Sequence, residues 1–302
     1  MGHLFRGLVL AAALERRGAA VRFLVNDSAA AAKVLGERGR RFVVVPLRDL
    51  ESGWETGQVQ RHGIRVWVND RLQTDARHAK RVLNAGARLA TFDDYGSGAP
   101  LADLQVAALP FNATAPAAGR RVLSGLRYLM LDPEIARYRR LREERRSLVV
   151  TLGGSDTHGL TVDVVRALRE CEIGATIVLG PAFEHQEALE PLLDARFTVK
   201  RDVRLLAAEL AAHDLAVTAG GITLFEACAA GLPCIAIAAE PSEQRSIEAL
   251  AKLGACAYAG YRNDFDRSVF RQSLALEAMS RAGMAALDLD GAERVADALL
   301  GL

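Results

Sequence analysis

Short apolar runs alternate with stretches of helical spacing along most of the chain, and that alternation confines the fold to parallel α/β architecture. A helix over Leu4 to Arg17, stopped by Gly18, precedes the strand Val21 to Val25; an Ala-rich helix from Ser28 to Arg38 leads to the strand Phe42 to Pro46. Arg65 to Asp70 and Arg88 to Phe92 are further strands, with a helix over Thr74 to Asn84 between them. Val106 to Leu109 and Tyr128 to Leu131 add short ones. After the charged stretch Asp132 to Ser147 the pattern restarts with the strand Leu148 to Leu152, a helix over Leu160 to Arg169, the strand Ala175 to Gly180, a helix over Gln186 to Leu193, Phe197 to Val199 and a helix over Leu205 to Ala212. Two successive α/β halves predict two Rossmann-like domains, residues 1–132 and 148–302, joined by a connector at 133–147 and facing a cleft in which a ligand pocket is expected.

The stretch from Leu215 to Gln244, LAVTAGGITLFEACAAGLPCIAIAAEPSEQ, is the most informative part of the second half. It reads as a strand ending at Thr218, a turn at Gly220-Gly221 and a helix entered through Ile222 and Thr223. Glycines let backbone amides approach a ligand, and a helix N-terminus offers unpaired N–H groups with partial positive charge, so the natural guest is a phosphate. Glu226, one turn further in, is placed to accept hydrogen bonds from the vicinal hydroxyls of a ribose. A second strand over Pro233 to Ala238 ends at Glu240, Ser242, Glu243 and Gln244, and ligands of open α/β sheets bind at such carboxyl ends. The bland alternative is that Gly220-Gly221 is only a close crossing of helix and strand and that Glu226 is a solvated helix residue. Gly153-Gly154-Ser155-Asp156 is a second glycine turn, which either meets the diphosphate or sugar from the other side or is a plain strand-to-helix turn capped by Ser155 or Asp156.

Composition removes several function classes. Lys and Arg number 38 against 37 for Asp and Glu, a net charge of +1, so no surface for a polyanion is indicated and nucleic acid is not an expected partner. The Arg-rich run from Arg137 to Arg146 is interleaved with Glu143 and Glu144 and reads as a solvated helix face or linker. Cys171, Cys228, Cys234 and Cys256 have no metal-ligand spacing and read as small core residues in a reducing compartment. No apolar run reaches the ~18 residues of a membrane span, so the protein is expected in the cytoplasm without membrane insertion. No metal and no cofactor are expected. His62, His78, His158, His185 and His213 read as surface or capping residues, without partners at triad or ligand spacing.

With Gly153 to Asp156, the turn from Thr218 to Glu226 and Gln244 in view, the C-terminal half resembles the nucleotide-binding domain of GT-B glycosyltransferases, the lipid II N-acetylglucosaminyltransferase group in particular. Taken with Gly2-His3 and Asp93-Asp94, the whole chain resembles the UDP-sugar hydrolases of pseudaminic acid biosynthesis, and the spore-coat-polysaccharide glycosyltransferase-like proteins are equally similar in outline. The resemblance implies that His3 is the general base that activates water at the anomeric carbon, with Gly2 beside it. It implies that Gly153, Gly154, Ser155, Thr218, Gly220, Gly221, Ile222, Thr223, Glu226 and Gln244 form the nucleotide-sugar site. Asp94 and Tyr95 either bind sugar substituents or form a turn before Gly96 and Gly98. Against the family pattern, a Gly-x-Gly-His loop after a first strand, the sequence carries only Gly2-His3, so the N-terminal domain is expected to lack that strand. The expected activity is hydrolysis of a UDP-linked hexose, a 2,4-diacetamido-trideoxy sugar, to free sugar and UDP. Transfer from the same UDP-sugar donor to a surface polysaccharide and non-catalytic nucleotide-sugar binding are the alternatives. The chemistry suits histidine, whose unperturbed pKa of about 6.5 fits a base at neutral pH. Oligomeric state is not fixed by any of these residues.

Overall fold

A computed structural model of the protein describes residues 2–109, 117–201, 203 and 205–302; Met1 lies outside them. The chain divides into two compact units, one of Met1–Leu131 with Asp290–Leu302 and the other of Asp132–Leu289. The last helix therefore belongs to the first unit, whereas its place in the sequence had assigned it to the second.

The first unit contains strands β1 (Phe23–Val25), β2 (Phe42–Val44), β3 (Val66–Asn69), β4 (Arg88–Phe92), β5 (Leu104–Ala107) and β6 (Arg121–Ser124). Its helices are α1 (Gly2–Arg16), α2 (Ala29–Glu37), α3 (Trp54–His62) and α4 (Ala76–Asn84). The strands form two separate parallel sheets, β1-β2 and β3-β4-β5-β6. Side-chain caps set two helix starts: Ser28 accepts from the Ala31 amide for α2, and Asp75 accepts from the Arg77 amide for α4. The second cap explains why α4 begins at Ala76 and not at the expected Thr74. The strand expected over Tyr128 to Leu131 is not formed: Tyr128 ends a 3₁₀ turn over Leu126–Tyr128, and 129–131 belong to no strand.

The second unit holds β7 (Leu148–Thr151), β8 (Ala175–Val178), β9 (Phe197–Lys200), β10 (Leu215–Ala219), β11 (Cys234–Ala238) and β12 (Cys256–Tyr261). Its helices are α5 (Leu160–Glu170), α6 (Gln186–Leu189), α7 (Leu206–Ala211), α8 (Ile222–Ala229), α9 (Glu243–Lys252) and α10 (Leu276–Ala286), and α11 (Gly291–Leu300) returns to the first unit. All six strands run parallel in the order β12-β11-β10-β7-β8-β9. Central strands are buried on both faces: every residue of β11 is buried, as are Leu215 to Thr218 of β10. That is why they read as continuous apolar runs and not as alternation. The edge strand β9 alternates between half-buried and exposed positions, as a strand covered on one face should.

The expected charged helix between the halves is not present. Pro133–Tyr138 is a short 3₁₀ helix, and Arg139 and Arg142 after it are structural. Arg142 is 1% exposed and donates to the carbonyls of Ala230 at 2.5 Å and Arg140 at 2.9 Å. Arg139 donates to those of Ala229 and Leu287. A guanidinium has five fixed donors and satisfies loose carbonyls at helix ends that a short polar residue cannot reach.

Candidate functional site

In the second unit the first strand of the sheet, β7, lies beside the fourth, β10, so the connections leave in opposite directions at that pair. This is a topological switch point, where α/β sheets open a crevice at the strand ends. A cavity of about 190 Å³ occupies it, lined by Thr151 to His158 on one side and by Ala219, Gly221, Thr223, Ala239, Glu240 and Glu243 on the other. Gly153 has φ of +102°, so a side chain there would be strained; a Cβ on Gly154 would meet nothing within 4 Å. Among the described residues no acceptor takes the backbone N–H of Gly154, Ser155 or Gly221. These open donors belong to residues that line a small cavity, in the loop after β7 and at the N-cap of α8, and such an arrangement suits an anion.

Two acidic side chains close off other amides. Asp156, in the left-handed region with φ of 43°, accepts from Leu160 at 2.9 Å and Thr161 at 2.8 Å and so caps α5, which leaves Ser155 free of that duty. Glu243 Oε2 accepts from the amides of Ala239 at 2.8 Å and of Gly220 and Glu240, each at 3.3 Å. The Gly220 amide, expected to face a phosphate, is thus already held by a carboxylate. Gly220 is glycine for a packing reason: a Cβ would come within 2.6 Å of Glu243 Cβ and 2.9 Å of Ile247 Cδ1. Across the cavity mouth His158 Nε2 meets Glu240 Oε1 at 2.7 Å.

The remaining expected residues of this half fall around the cavity without lining it. Thr218 is fully buried and its hydroxyl has no partner among the described residues. Ile222 is the first residue of α8, capped by Gly221 and not by Thr223. Gln244 is the second residue of α9 and half-buried. Glu226 is half-buried on α8, and burial, with the Asp132 carboxylate adding repulsion, pushes its carboxyl up to about 7.

In the first unit His3, exposed on the first turn of α1, is held by a carboxylate. Its Nδ1 lies 2.7 Å from Asp70 Oδ1 at the end of β3. Arg6, one turn along, fixes Asp70 through Nε at 2.9 Å and reaches Asp93 Oδ2 at 2.5 Å, and Asp93 Oδ1 accepts from the Leu109 amide at 3.0 Å. Burial alone would raise Asp70, but the hydrogen bonds from His3 and Arg6 outweigh it and hold the carboxyl below the usual aspartate range. An ionised carboxylate only accepts, so His3 donates from Nδ1, and Nε2 is the ring nitrogen that Asp70 leaves unengaged. In the sequence Asp70 is only the end of the strand Arg65 to Asp70; nothing local points to a partner 67 positions away.

Asp94 is engaged in the turn that its sequence allowed. Its Oδ1 accepts from Thr74 at 3.0 Å and Gly96 at 2.8 Å, and its other oxygen is buried without a partner among the described residues. Tyr95 is 39% exposed, and Gly2 opens α1 with free space around it. His78 departs from expectation: it is buried, bonded to the buried Glu55 at 2.8 Å and to Asn69 at 3.2 Å, and packs against Trp54 and Trp67. Sequence missed His158 as well, because Glu240 lies 82 positions away. Among the described residues no group of His, Cys, Asp and Glu is arranged to hold a metal ion, and no helix is long and apolar enough to cross a membrane.

Comparison with known proteins fixes the fold. No family model matches the chain. The spore coat polysaccharide biosynthesis protein SpsG of Bacillus subtilis is 28% identical over 144 residues, a stretch that spans 45% of this chain and 42% of that relative. Among solved structures, MurG of Acinetobacter baumannii is similar with a TM-score of 0.71 at 15% identity, covering 100% of this chain and 96% of that one. The spinosyn forosaminyltransferase SpnP gives 0.67 at 15% identity over 99% and 97% of the two chains. Anabaena HepE, solved in complex with UDP and glucose, gives 0.63 at 16% identity over 100% and 96%. These likenesses span the whole chain, and the fold is GT-B-like, as the sequence led us to expect.

Proposed function

We propose that this chain is a glycosyltransferase that takes a UDP-sugar as donor for a surface polysaccharide. The observation that carries the proposal is the switch-point cavity with the unpaired amides of Gly154, Ser155 and Gly221 around it. A diphosphate supplies the oxygens those donors lack, and the same donors stabilise the charge that grows on it as a leaving group. UDP is favoured because HepE was solved with UDP and glucose. Transfer is favoured over the hydrolysis of a diacetamido sugar expected from sequence, because SpnP is a forosaminyltransferase and SpsG is named for polysaccharide biosynthesis.

His3, oriented by Asp70, is the proposed general base. Its Nε2 takes the proton of the acceptor hydroxyl, that oxygen bonds to the anomeric carbon, and the bond from that carbon to the phosphate oxygen breaks with its electron pair leaving on UDP. Hydrolysis uses the same groups with water in place of the acceptor. The deciding assay follows UDP release from UDP-sugars with and without a polysaccharide acceptor, for the native protein and His3→Ala. Release that needs acceptor and is lost in His3→Ala is the expected result. Release without acceptor makes the protein a hydrolase, and UDP binding without turnover makes it a nucleotide-sugar-binding protein.

A further inference from the structure

We infer that His158 is the side chain that recognises a phosphate in the second-unit cavity, and that Glu240 is an internal competitor for it. The inference rests on the nucleotide reading of that cavity. Among the lining residues, His158 is the one able to carry a positive charge, against three acids, Asp156, Glu240 and Glu243. Two of those acids are committed to backbone amides: both oxygens of Asp156 serve α5, and Glu243 Oε2 gathers three N–H groups. Moving Asp156 would strand two buried donors, and moving Glu243 would release three amides at once.

Glu240 is different. It accepts from a side chain only, His158 at 2.7 Å, with Arg262 Nη1 3.9 Å from its other oxygen. The pair is open to water, with the histidine 32% and the glutamate 52% exposed. Exposed ion pairs contribute little because water and salt screen them, so this one is easily exchanged. A phosphate brings more charge and more acceptor oxygens than a carboxylate and outcompetes it for the same N–H. Released, Glu240 retains Arg262, whose own Nη1 is anchored on the Ala239 carbonyl. The exchange is a swap of acceptors at His158 Nε2, with no bond made or broken in the ligand.

Calorimetry with UDP on the intact protein, Glu240→Gln, His158→Ala and the double variant tests this, with uridine as the ligand lacking phosphate. Glu240→Gln should tighten UDP by about three- to fivefold, the worth of an exposed pair. His158→Ala should weaken it by about tenfold or more. In the His158→Ala background the Glu240→Gln gain should vanish, and uridine should be insensitive to all three changes. Both residues are exposed, so thermal melting of the variants serves as the control for folding. A Glu240→Gln gain that persists without His158 means plain charge repulsion and overturns the inference, as do variants that leave UDP affinity unchanged. Those outcomes leave the nucleotide site standing; absence of UDP binding by every form removes the site itself.

Discussion

Two polar clusters, one in each unit, are built in opposite ways. In the first unit, the chain His3, Asp70, Arg6, Asp93 and the Leu109 amide is closed: each carboxylate has its donors, and Nε2 of His3 is the ring nitrogen outside the chain. In the second, the turns at the switch point keep backbone donors unpaired around a cavity. A closed chain fixes one side chain's direction, which suits a base. Open amides cost stability until a ligand pairs them, which suits a binding site. Loss of a polar group should therefore lower mainly stability in the His3–Asp93 cluster and mainly affinity at the switch point.

The largest effect that would sharpen or break this contrast is Arg6→Ala. It removes the guanidinium that the two carboxylates share, leaving Asp70 with His3 and Asp93 with the Leu109 amide, and unfolding by urea should show a loss of about 3 kcal/mol; a loss below about 1 kcal/mol would mean the chain is not interlocked. Glu226 comes next. Its carboxyl is raised in the folded state from an ordinary value near 4.5 to about 7, so the folded form binds the proton more tightly than the unfolded one. Its contribution is full below about pH 4.5 and is lost as pH rises to about 7, by at most about 3 kcal/mol. Urea midpoints at pH 5 and pH 8 should converge in Glu226→Gln, and equal pH dependence in both forms would contradict the shift.

Gly220→Ala should cost about 1–3 kcal/mol, since the added methyl meets Glu243 Cβ at 2.6 Å. Gly154→Ala should change stability by less than about 0.5 kcal/mol, because its Cβ meets nothing within 4 Å. It should nevertheless weaken UDP by about tenfold, as the methyl occupies the approach to an open amide. If Gly154→Ala destabilised the fold and spared binding, the contrast between the units would be reversed.

Much of this was legible in the sequence because parallel strands buried on both faces leave an uninterrupted apolar mark. Strands β7, β8, β10 and β11, and the glycine turns after β7 and β10, stood out on that ground. Helix α3 did not, because its sequence WETGQVQRH carries few apolar residues and its burial is supplied by Val59 and by a glutamate paired with His78. Strand β6 escaped for a related reason: three of its four residues are exposed at a sheet edge. The site was half legible. Glycine turns announce themselves locally, but which amides remain open depends on Glu243, and which histidines matter depends on Asp70 and Glu240, all set by tertiary contacts. The Arg137 to Arg146 run misled because charge in a sequence does not reveal that a guanidinium is buried under carbonyls.

The central claim is that the switch-point amides bind the phosphates of UDP. Amide chemical shifts followed by NMR during a UDP titration test it directly. Gly154, Ser155 and Gly221 should shift in a saturable way with UDP and stay in place with uridine. Shifts confined to other residues, or equal shifts with uridine, would contradict it.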